Sequence, residues 1–154
     1  PLDPERAVLV SEWCWKYGIM THATFMFGLS GETKETMEDT LNLANRIKFD
    51  YAQASIATPF PGTRMYEKAL ANNEIDKTLS NESFDGAQSS VMKSSSGLQP
   101  HEIVKFRKKA IRSMILNKLR NPTWWKHSIK HNSIKLRYYG LSRVLSPIRA
   151  YLNL

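Results

Sequence analysis

The sequence twice runs from an extended segment through a glycine-containing loop into a helix, and this repeat limits what the chain can fold into. A run rich in β-branched and aromatic residues at 19–27 precedes an amphipathic helix predicted over 32–48. A second run at 51–58 precedes a helix predicted over 64–72. Strands that alternate with helices are typical of parallel sheets with crossover connections. The repeat therefore predicts an α/β fold.

Three further parts lie outside the repeat. A helix is predicted over 4–17, before the first strand. Together with the two strand–helix units, it makes residues 1–72 the sheet-forming part of the chain. Residues 73–99 are polar, lack a sustained period and predict a long loop. The apolar period and basic composition of residues 100–154 predict a basic helical extension, whose first helix ends before Pro122. The first helix carries an apolar stripe of Val8, Leu9, Trp13 and Tyr17.

Charge is divided unevenly along the chain. Residues 1–100 hold 9 Lys or Arg against 13 Asp or Glu, a net charge of −4. Residues 101–154 hold 13 Lys or Arg against Glu102 alone, a net charge of +12. Trp and Tyr alternate there with basic residues, which fits an anionic membrane surface or the phosphates of RNA and slightly favours the membrane. Solvated helices with basic outer faces are the third interpretation.

Two strands are too few for the sheet that these units imply. Parallel strands are usually buried on both faces and flanked by further strands, and a closed (β/α)8 barrel takes about 250 residues. The chain has 154 residues and begins with Pro1 rather than Met. We therefore expect it to be the C-terminal part of a larger barrel or open α/β sheet.

The loops that follow the two strands are the expected ligand-binding segments, because ligands in such folds lie at the carboxyl ends of the strands. Residues 28–33 read GLSGET and residues 59–63 read PFPGT. Glycine permits a positive φ and close approach of a ligand, and free amides at a helix start accept an anionic or carbonyl group. A tight turn without any ligand explains the same glycines, and the spacing alone favours that interpretation.

Both loops closely resemble those of radical S-adenosylmethionine (SAM) enzymes. Members of that superfamily carry G-[LI]-P-G-E-T after the fifth barrel strand and P-[YF]-P-G-T after the sixth, and the resemblance spans about residues 8–116. The branch concerned is related to the anaerobic magnesium-protoporphyrin ester cyclase and often carries a cobalamin-binding domain upstream. The resemblance implies the C-terminal part of a partial (β/α)6 barrel followed by the α-helical extension. Ser30 stands where the family has Pro, and Thr24 where it has Gly or another small residue.

The same resemblance implies a SAM site at these loops. In the family an apolar residue and a glycine of the fifth strand pack on the adenine, and a glutamate closes the loop. Met26 and Gly28 match the first two positions, and Glu32 matches the glutamate. The end of the sixth strand passes beside the adenine. Carried over by position, the expected cofactor-binding residues are Met26, Gly28, Gly31, Glu32, Ala57, Thr58 and Pro59.

Three residues are expected to border the substrate cavity. Side chains alternate across a strand, so Gln53 and Ser55 share one face and are expected to line the barrel interior. His22 lies in the first strand and either reaches the same cavity or is a structural histidine. The sequence assigns no catalytic residue and no metal ligand.

The iron–sulfur cluster of radical SAM enzymes depends on three thiolates from a Cys-x3-Cys-x-x-Cys loop, which this sequence lacks. Its one cysteine, Cys14, lies on a predicted amphipathic helix. The resemblance therefore implies that the chain is inactive by itself. The parent enzyme is expected to use SAM and a [4Fe–4S] cluster, with cobalamin as a candidate further cofactor, to form a 5′-deoxyadenosyl radical that modifies an unactivated carbon.

Other functions fit parts of the sequence. One alternative is a radical SAM methylthiotransferase-like enzyme that modifies tRNA, which is disfavoured because no compact β-barrel RNA module is evident. The other is a non-catalytic basic module that binds nucleic acid. The expected substrate is a small molecule or a lipid- or porphyrin-like compound. We expect a cytoplasmic location, since a single cysteine fits a reducing compartment and no apolar run is long enough to span a membrane. Peripheral membrane contact is expected through residues 101–154.

Overall fold

The computed structural model describes residues 3–75 and 97–125, and in these ranges strands and helices alternate as the repeat predicts. The prediction for 126–154, and most of the predicted loop over 73–99, lie outside the described residues. The order of elements is α1 (Pro4–Lys16), β1 (His22–Phe27), α2 (Lys34–Arg46), β2 (Tyr51–Ile56), α3 (Arg64–Ala71) and α4 (Pro100–Arg120).

The two strands form a parallel pair. His22 lies opposite Tyr51 and Phe27 lies opposite Ile56, so the strands start and end together. The connection between them contains α2, as a parallel crossover requires. The mixed α/β class is confirmed by this arrangement, and the described part of the chain holds a sheet of two strands.

One face of the sheet is covered by α2 and α4. Phe27 is fully buried, and its ring meets that of Phe106 edge to face at a centroid distance of 5.4 Å. Arg107 Nε donates to the carbonyl oxygen of Ala54 at 2.7 Å, which ties α4 to β2. Asn45 Nδ2 of α2 donates to Ser113 Oγ of α4 at 3.2 Å. The core beneath these contacts comprises Phe25, Phe27, Met37, Leu41, Ala44, Ala54, Ile56, Ile103, Ala110, Ile111 and Met114.

Helix α2 begins at Lys34, two residues later than the sequence predicts. Thr33 is its N-cap, and a reciprocal capping box joins Thr33 to Thr36. The Thr36 amide donates to Thr33 Oγ1 at 3.2 Å, and the Thr33 amide donates to Thr36 Oγ1 at 2.9 Å. Glu32, predicted to be the first helical residue, belongs to the loop instead. Strand β1 is also shorter than predicted, since it starts at His22 rather than at residue 19.

The apolar stripe of α1 is exposed in the described part of the chain. Leu9, Trp13 and Tyr17 keep 44%, 54% and 72% of their surface accessible. The buried residue of α1 is Ser11, whose hydroxyl oxygen accepts a hydrogen bond from the Lys48 amide at 3.1 Å. Glu5 also pairs with Arg46 and Glu12 with Lys48, so the helix is held to the end of α2 and the residues after it through polar contacts.

The chain divides into two compact units, Pro1–Ile115 and Leu116–Leu154. The sheet, α2, the loops after each strand and α4 up to Ile115 belong to the first unit. In the second unit, residues 122–125 resume a helical turn after α4, so the predicted interruption before Pro122 is confirmed. None of the helices in the described ranges is both long enough and apolar enough to cross a membrane.

Candidate cofactor-binding site

The sheet face opposite the core is polar and accessible, and we call it the open face. Its residues alternate with the buried ones along each strand, as expected for a period of two. Met26 lies opposite Ser55 and Thr24 opposite Gln53, and Gln53 Nε2 donates to Ser55 Oγ at 3.2 Å. None of its side chains carries a carboxylate, ammonium or guanidinium group. The open face consists of His22, Thr24, Met26, Tyr51, Gln53 and Ser55.

The loop after β1 is shaped by the carboxylate of Glu32. Its Oε2 accepts hydrogen bonds from the amides of Gly28 and Leu29, the second at 3.1 Å, and the residue keeps only 8% of its surface exposed. The Glu32 amide in turn donates to the Leu29 carbonyl at 3.0 Å. Gly28 and Gly31 have φ angles of +82° and +76°, a backbone region that is unfavourable for residues with a Cβ atom. Glu32 therefore binds its own loop, which is a positioning role.

Two of the amides at the start of α2 are bonded within the protein. The Thr33 amide donates to the Thr36 hydroxyl, and the Thr36 amide donates to the Thr33 hydroxyl. The expectation that free amides here receive an anion is therefore not met at these positions. Ser, Thr, Asp and Glu side chains compete successfully for such donors in a short loop.

Burial governs the ionisation of Glu32. Removal from water raises the pKa of this carboxyl above its ordinary value, and the hydrogen bonds from the Gly28 and Leu29 amides oppose part of that rise. A raised pKa in the folded state means that the folded protein takes up a proton before the unfolded chain does. The proton-linked part of the Glu32 contribution to stability is therefore fully present below its unfolded pKa and is lost as the pH rises through its folded pKa, whereas the carboxylate still accepts the two amide hydrogen bonds at pH 7.

Substitution of Glu32 tests this arrangement. Glu32→Ala leaves two loop amides without their acceptor, so we expect a loss of about 1 to 3 kcal/mol in the free energy of unfolding at pH 7. Glu32→Gln keeps one acceptor oxygen and removes the charge, so it should lose less. The wild type should gain stability relative to Glu32→Gln as the pH falls from 7 towards 4.5. Urea denaturation over this pH range measures both effects, with the exposed Glu35→Gln as control. Equal stability of Glu32→Ala and the wild type would contradict the positioning role.

The loop after β2 starts at the same edge of the sheet. The Ala57 amide donates to the Phe27 carbonyl at 2.7 Å and continues the strand pairing one residue past β2. Thr58 Oγ1 donates to the Ile56 carbonyl at 3.3 Å. Ala57 and Pro59 are buried, so of the three residues predicted here only Thr58 remains partly accessible.

Three apolar side chains at this carboxyl edge are half exposed. Met26, Leu29 and Phe60 keep 46%, 45% and 45% of their surface accessible. Apolar side chains with a few polar groups nearby are the usual lining of a site for a planar cofactor. Sequence analysis selects Met26 but misses Leu29 and Phe60, although an apolar residue inside a Gly- and Pro-rich loop is a signal that could have found them. It also misses Thr24 as a residue of the open face, which the period of two in β1 identifies.

These residues fit the two expected cofactors differently. We call Met26, Leu29 and Phe60 the apolar edge. Together with the neutral open face beside it, the apolar edge suits the adenosyl group of SAM. The iron–sulfur cluster does not fit this chain, because the sequence contains Cys14 as its one cysteine. Within residues 3–75 and 97–125 no group of three or more His, Cys, Asp or Glu side chains is arranged to hold a metal ion.

His22 stands apart from the loops. It is four residues from Met26 along β1, or roughly 13 Å in an extended strand. It borders a cavity of about 390 Å³ at the amino end of β1, together with Cys14, Arg6 and Lys48. The structure thus places His22 on the same face as Gln53 and Ser55 but at the far end of the strand.

The chain is similar to segments of two larger proteins. It is 39% identical over 72 residues, 47% of this chain, to an uncharacterized methyltransferase of Pyrococcus horikoshii. It is 42% identical over 57 residues, 37% of this chain, to the anaerobic magnesium-protoporphyrin IX monomethyl ester cyclase of Cereibacter sphaeroides. The matched segments span 16% and 9% of those two proteins. No protein-family model matches the chain.

Proposed function

We propose that the chain is part of a radical SAM enzyme and that the carboxyl edge of β1 and β2 receives the adenosyl group of SAM. The observation that carries this proposal is that Met26, Leu29 and Phe60 are half exposed at or just after the carboxyl ends of two paired parallel strands, where both loops begin. The similarity to a methyltransferase and to the ester cyclase supports it. The larger barrel, of which these would be the last two βα units, belongs to the same proposal.

Each part of the site has a role in this proposal. The apolar edge supplies contact area for the adenine, and Glu32 holds the loop that carries Leu29 in one shape. Thr24, Gln53 and Ser55 offer neutral hydrogen-bonding groups on the open face, suited to hydroxyl or carbonyl groups of cofactor or substrate. When bound, SAM and a reduced cluster supply the radical chemistry, and the cluster's ligands would come from outside this sequence.

The proposal also includes the class of substrate that the parent enzyme would bind at the open face. The open face carries no fixed charge, which favours an uncharged part of a small-molecule, lipid-like or porphyrin-like substrate at this surface. Use of cobalamin and a cytoplasmic location remain predictions from sequence.

Methionine-methyl NMR tests the adenosyl site directly. We expect the methyl signal of Met26 to shift when SAM is added to the full chain, because an adenine ring packed on it produces a ring-current field. Met20 is the matched control, since its 42% exposure is close to the 46% of Met26 and it lies before β1. Met20→Leu and Met26→Leu variants assign the two signals. Equal shifts of both signals, or no shift of Met26, would contradict the site.

A second experiment tests the enzyme. The protein that contains this chain should carry a Cys-x3-Cys-x-x-Cys loop, show iron–sulfur absorbance after anaerobic reconstitution and form 5′-deoxyadenosine from SAM. Absence of the cysteine loop or of 5′-deoxyadenosine would overturn the enzymatic function and leave the nucleic-acid-binding module. A sulfur-containing product on tRNA would instead identify the methylthiotransferase-like alternative.

A further inference from the structure

The end of α4 and the turn after it carry an exposed apolar cluster in a strongly basic part of the chain. Leu116 and Leu119 are 49% and 48% accessible, and Trp125 is 46% accessible. Leu116 and Leu119 are three residues apart, so they lie on one face of the helix. We call Leu116, Leu119 and Trp125 the apolar tip.

The turn after α4 folds the two tryptophans back beside the helix. Asn121 Oδ1 accepts from the Thr123 amide at 3.0 Å and from the Trp124 amide at 3.4 Å, which caps the helical turn at 122–125. Trp125 Nε1 then donates to the Leu119 carbonyl at 3.0 Å. The indole of Trp125 is thus held against the last turn of α4, next to Leu119.

Two basic side chains, Lys118 and Arg120, flank Leu119 in the described part of the chain, and the sequence that follows is also basic. Residues 116–154 contain eight Lys or Arg and no Asp or Glu. Lys118 Nζ lies 5.7 Å from the ring centroid of Trp124, and Arg120 is exposed one residue after Leu119. Exposed leucines with an indole between basic side chains match the interfacial zone of an anionic lipid bilayer, where apolar groups enter the acyl boundary and cations meet headgroups.

The geometry fits lipid better than RNA. Binding of single-stranded RNA uses open aromatic faces on which bases stack. The Trp124 ring instead has Lys118 Nζ over it and meets the indole of Trp125 at an interplanar angle of 77°, with 5.3 Å between the ring centroids. The exposed leucines have no part in phosphate or base recognition, whereas each adds apolar area that a bilayer can cover.

We propose that the apolar tip inserts into the interface of an anionic membrane while Lys118 and Arg120 beside it bind phosphate headgroups. The proposal concerns the unit Leu116–Leu154 and does not depend on the SAM site of the other unit.

Vesicle sedimentation of the full 154-residue chain tests this proposal. We expect binding to phosphatidylcholine vesicles that contain phosphatidylglycerol and much weaker binding to pure phosphatidylcholine, with binding reduced by salt. The double variant Leu116→Gln/Leu119→Gln should weaken binding about tenfold, because two half-exposed apolar side chains no longer enter the bilayer. Leu9→Gln is the matched control, since Leu9 is 44% exposed on α1, and should bind like the wild type.

Four outcomes would overturn the proposal. They are no binding to anionic vesicles, wild-type binding by the double variant, equal weakening by Leu9→Gln, and binding to bulk tRNA without binding to vesicles. Circular dichroism of each variant confirms that its helices are intact. All substituted leucines are about half exposed, so loss of folding is not expected to imitate loss of binding.

Discussion

Phe27→Ala should lower the free energy of unfolding by about 3 to 5 kcal/mol, the largest single effect that we expect in this chain. Phe27 is fully buried at the end of β1 and packs edge to face on Phe106 of α4. Its removal takes away apolar contact area and leaves a cavity between the sheet and the helix that covers it. Urea denaturation followed by circular dichroism measures the loss.

Phe60→Ala is the matched control for this prediction. Phe60 is 45% exposed in the loop after β2, so the same truncation should cost less than about 1 kcal/mol of stability. In the proposed site it should instead reduce the shift of the Met26 methyl signal on addition of SAM. Similar losses of stability from both substitutions would show that Phe27 is not part of a closely packed core. If Phe27→Ala does not fold, Phe27→Leu should give a measurable loss of up to about 1.5 kcal/mol.

Gly28→Ala should destabilise the protein by about 2 to 5 kcal/mol, for two separate reasons. The φ of +82° disfavours any residue with a Cβ, at a cost of about 1 to 2 kcal/mol. A Cβ at Gly28 would also lie 3.0 Å from Ile103 Cγ2 and 3.4 Å from Ile103 Cδ1, and such overpacking costs about 1 to 3 kcal/mol. Glycine is therefore required here both for backbone conformation and for the close approach of α4.

Gly31→Ala separates the two reasons. Gly31 has nearly the same φ, +76°, but a Cβ there would meet no atom within 4 Å. We expect only the conformational cost of about 1 to 2 kcal/mol for this variant. Denaturation of the two variants side by side gives the packing contribution as their difference. In the background of Ile103→Ala, the cost of Gly28→Ala should fall to that of Gly31→Ala, and an unchanged cost would contradict the contact with Ile103.

The order and type of the elements could be predicted because local patterns determine them. The β-branched and aromatic runs and the 3.6-residue period of α2 and α4 reflect burial on one face of each element. The beginning of α2 was less predictable. Glu32 fits the acidic first turn of a helix, and only the positions of the Gly28 and Leu29 amides show that its carboxylate belongs to the loop.

The candidate site was predicted in part, for a similar reason. The period of two correctly places Gln53 and Ser55 on one face, since alternation is a property of any strand. The shared edge of the two loops depends on the parallel register of Phe27 with Ile56, which local sequence does not encode. The burial of Ala57 and Pro59 depends on tertiary packing in the same way. The exposed stripe of α1 shows that an apolar pattern predicts a contact surface without identifying what covers it.

In the proposed site, the hydrogen bonds that Glu32 accepts would also make the loop after β1 selective among adenosine-containing molecules. Glycine-rich turns between a strand and a helix commonly hold the phosphates of nucleotides on their amides. In this loop the amides of Gly28 and Leu29 are already taken by a carboxylate, so the negatively charged tail of ATP or a dinucleotide would gain no donors from them and would meet repulsion whenever Glu32 is ionised. An adenosine that carries a sulfonium in place of phosphates meets no such penalty.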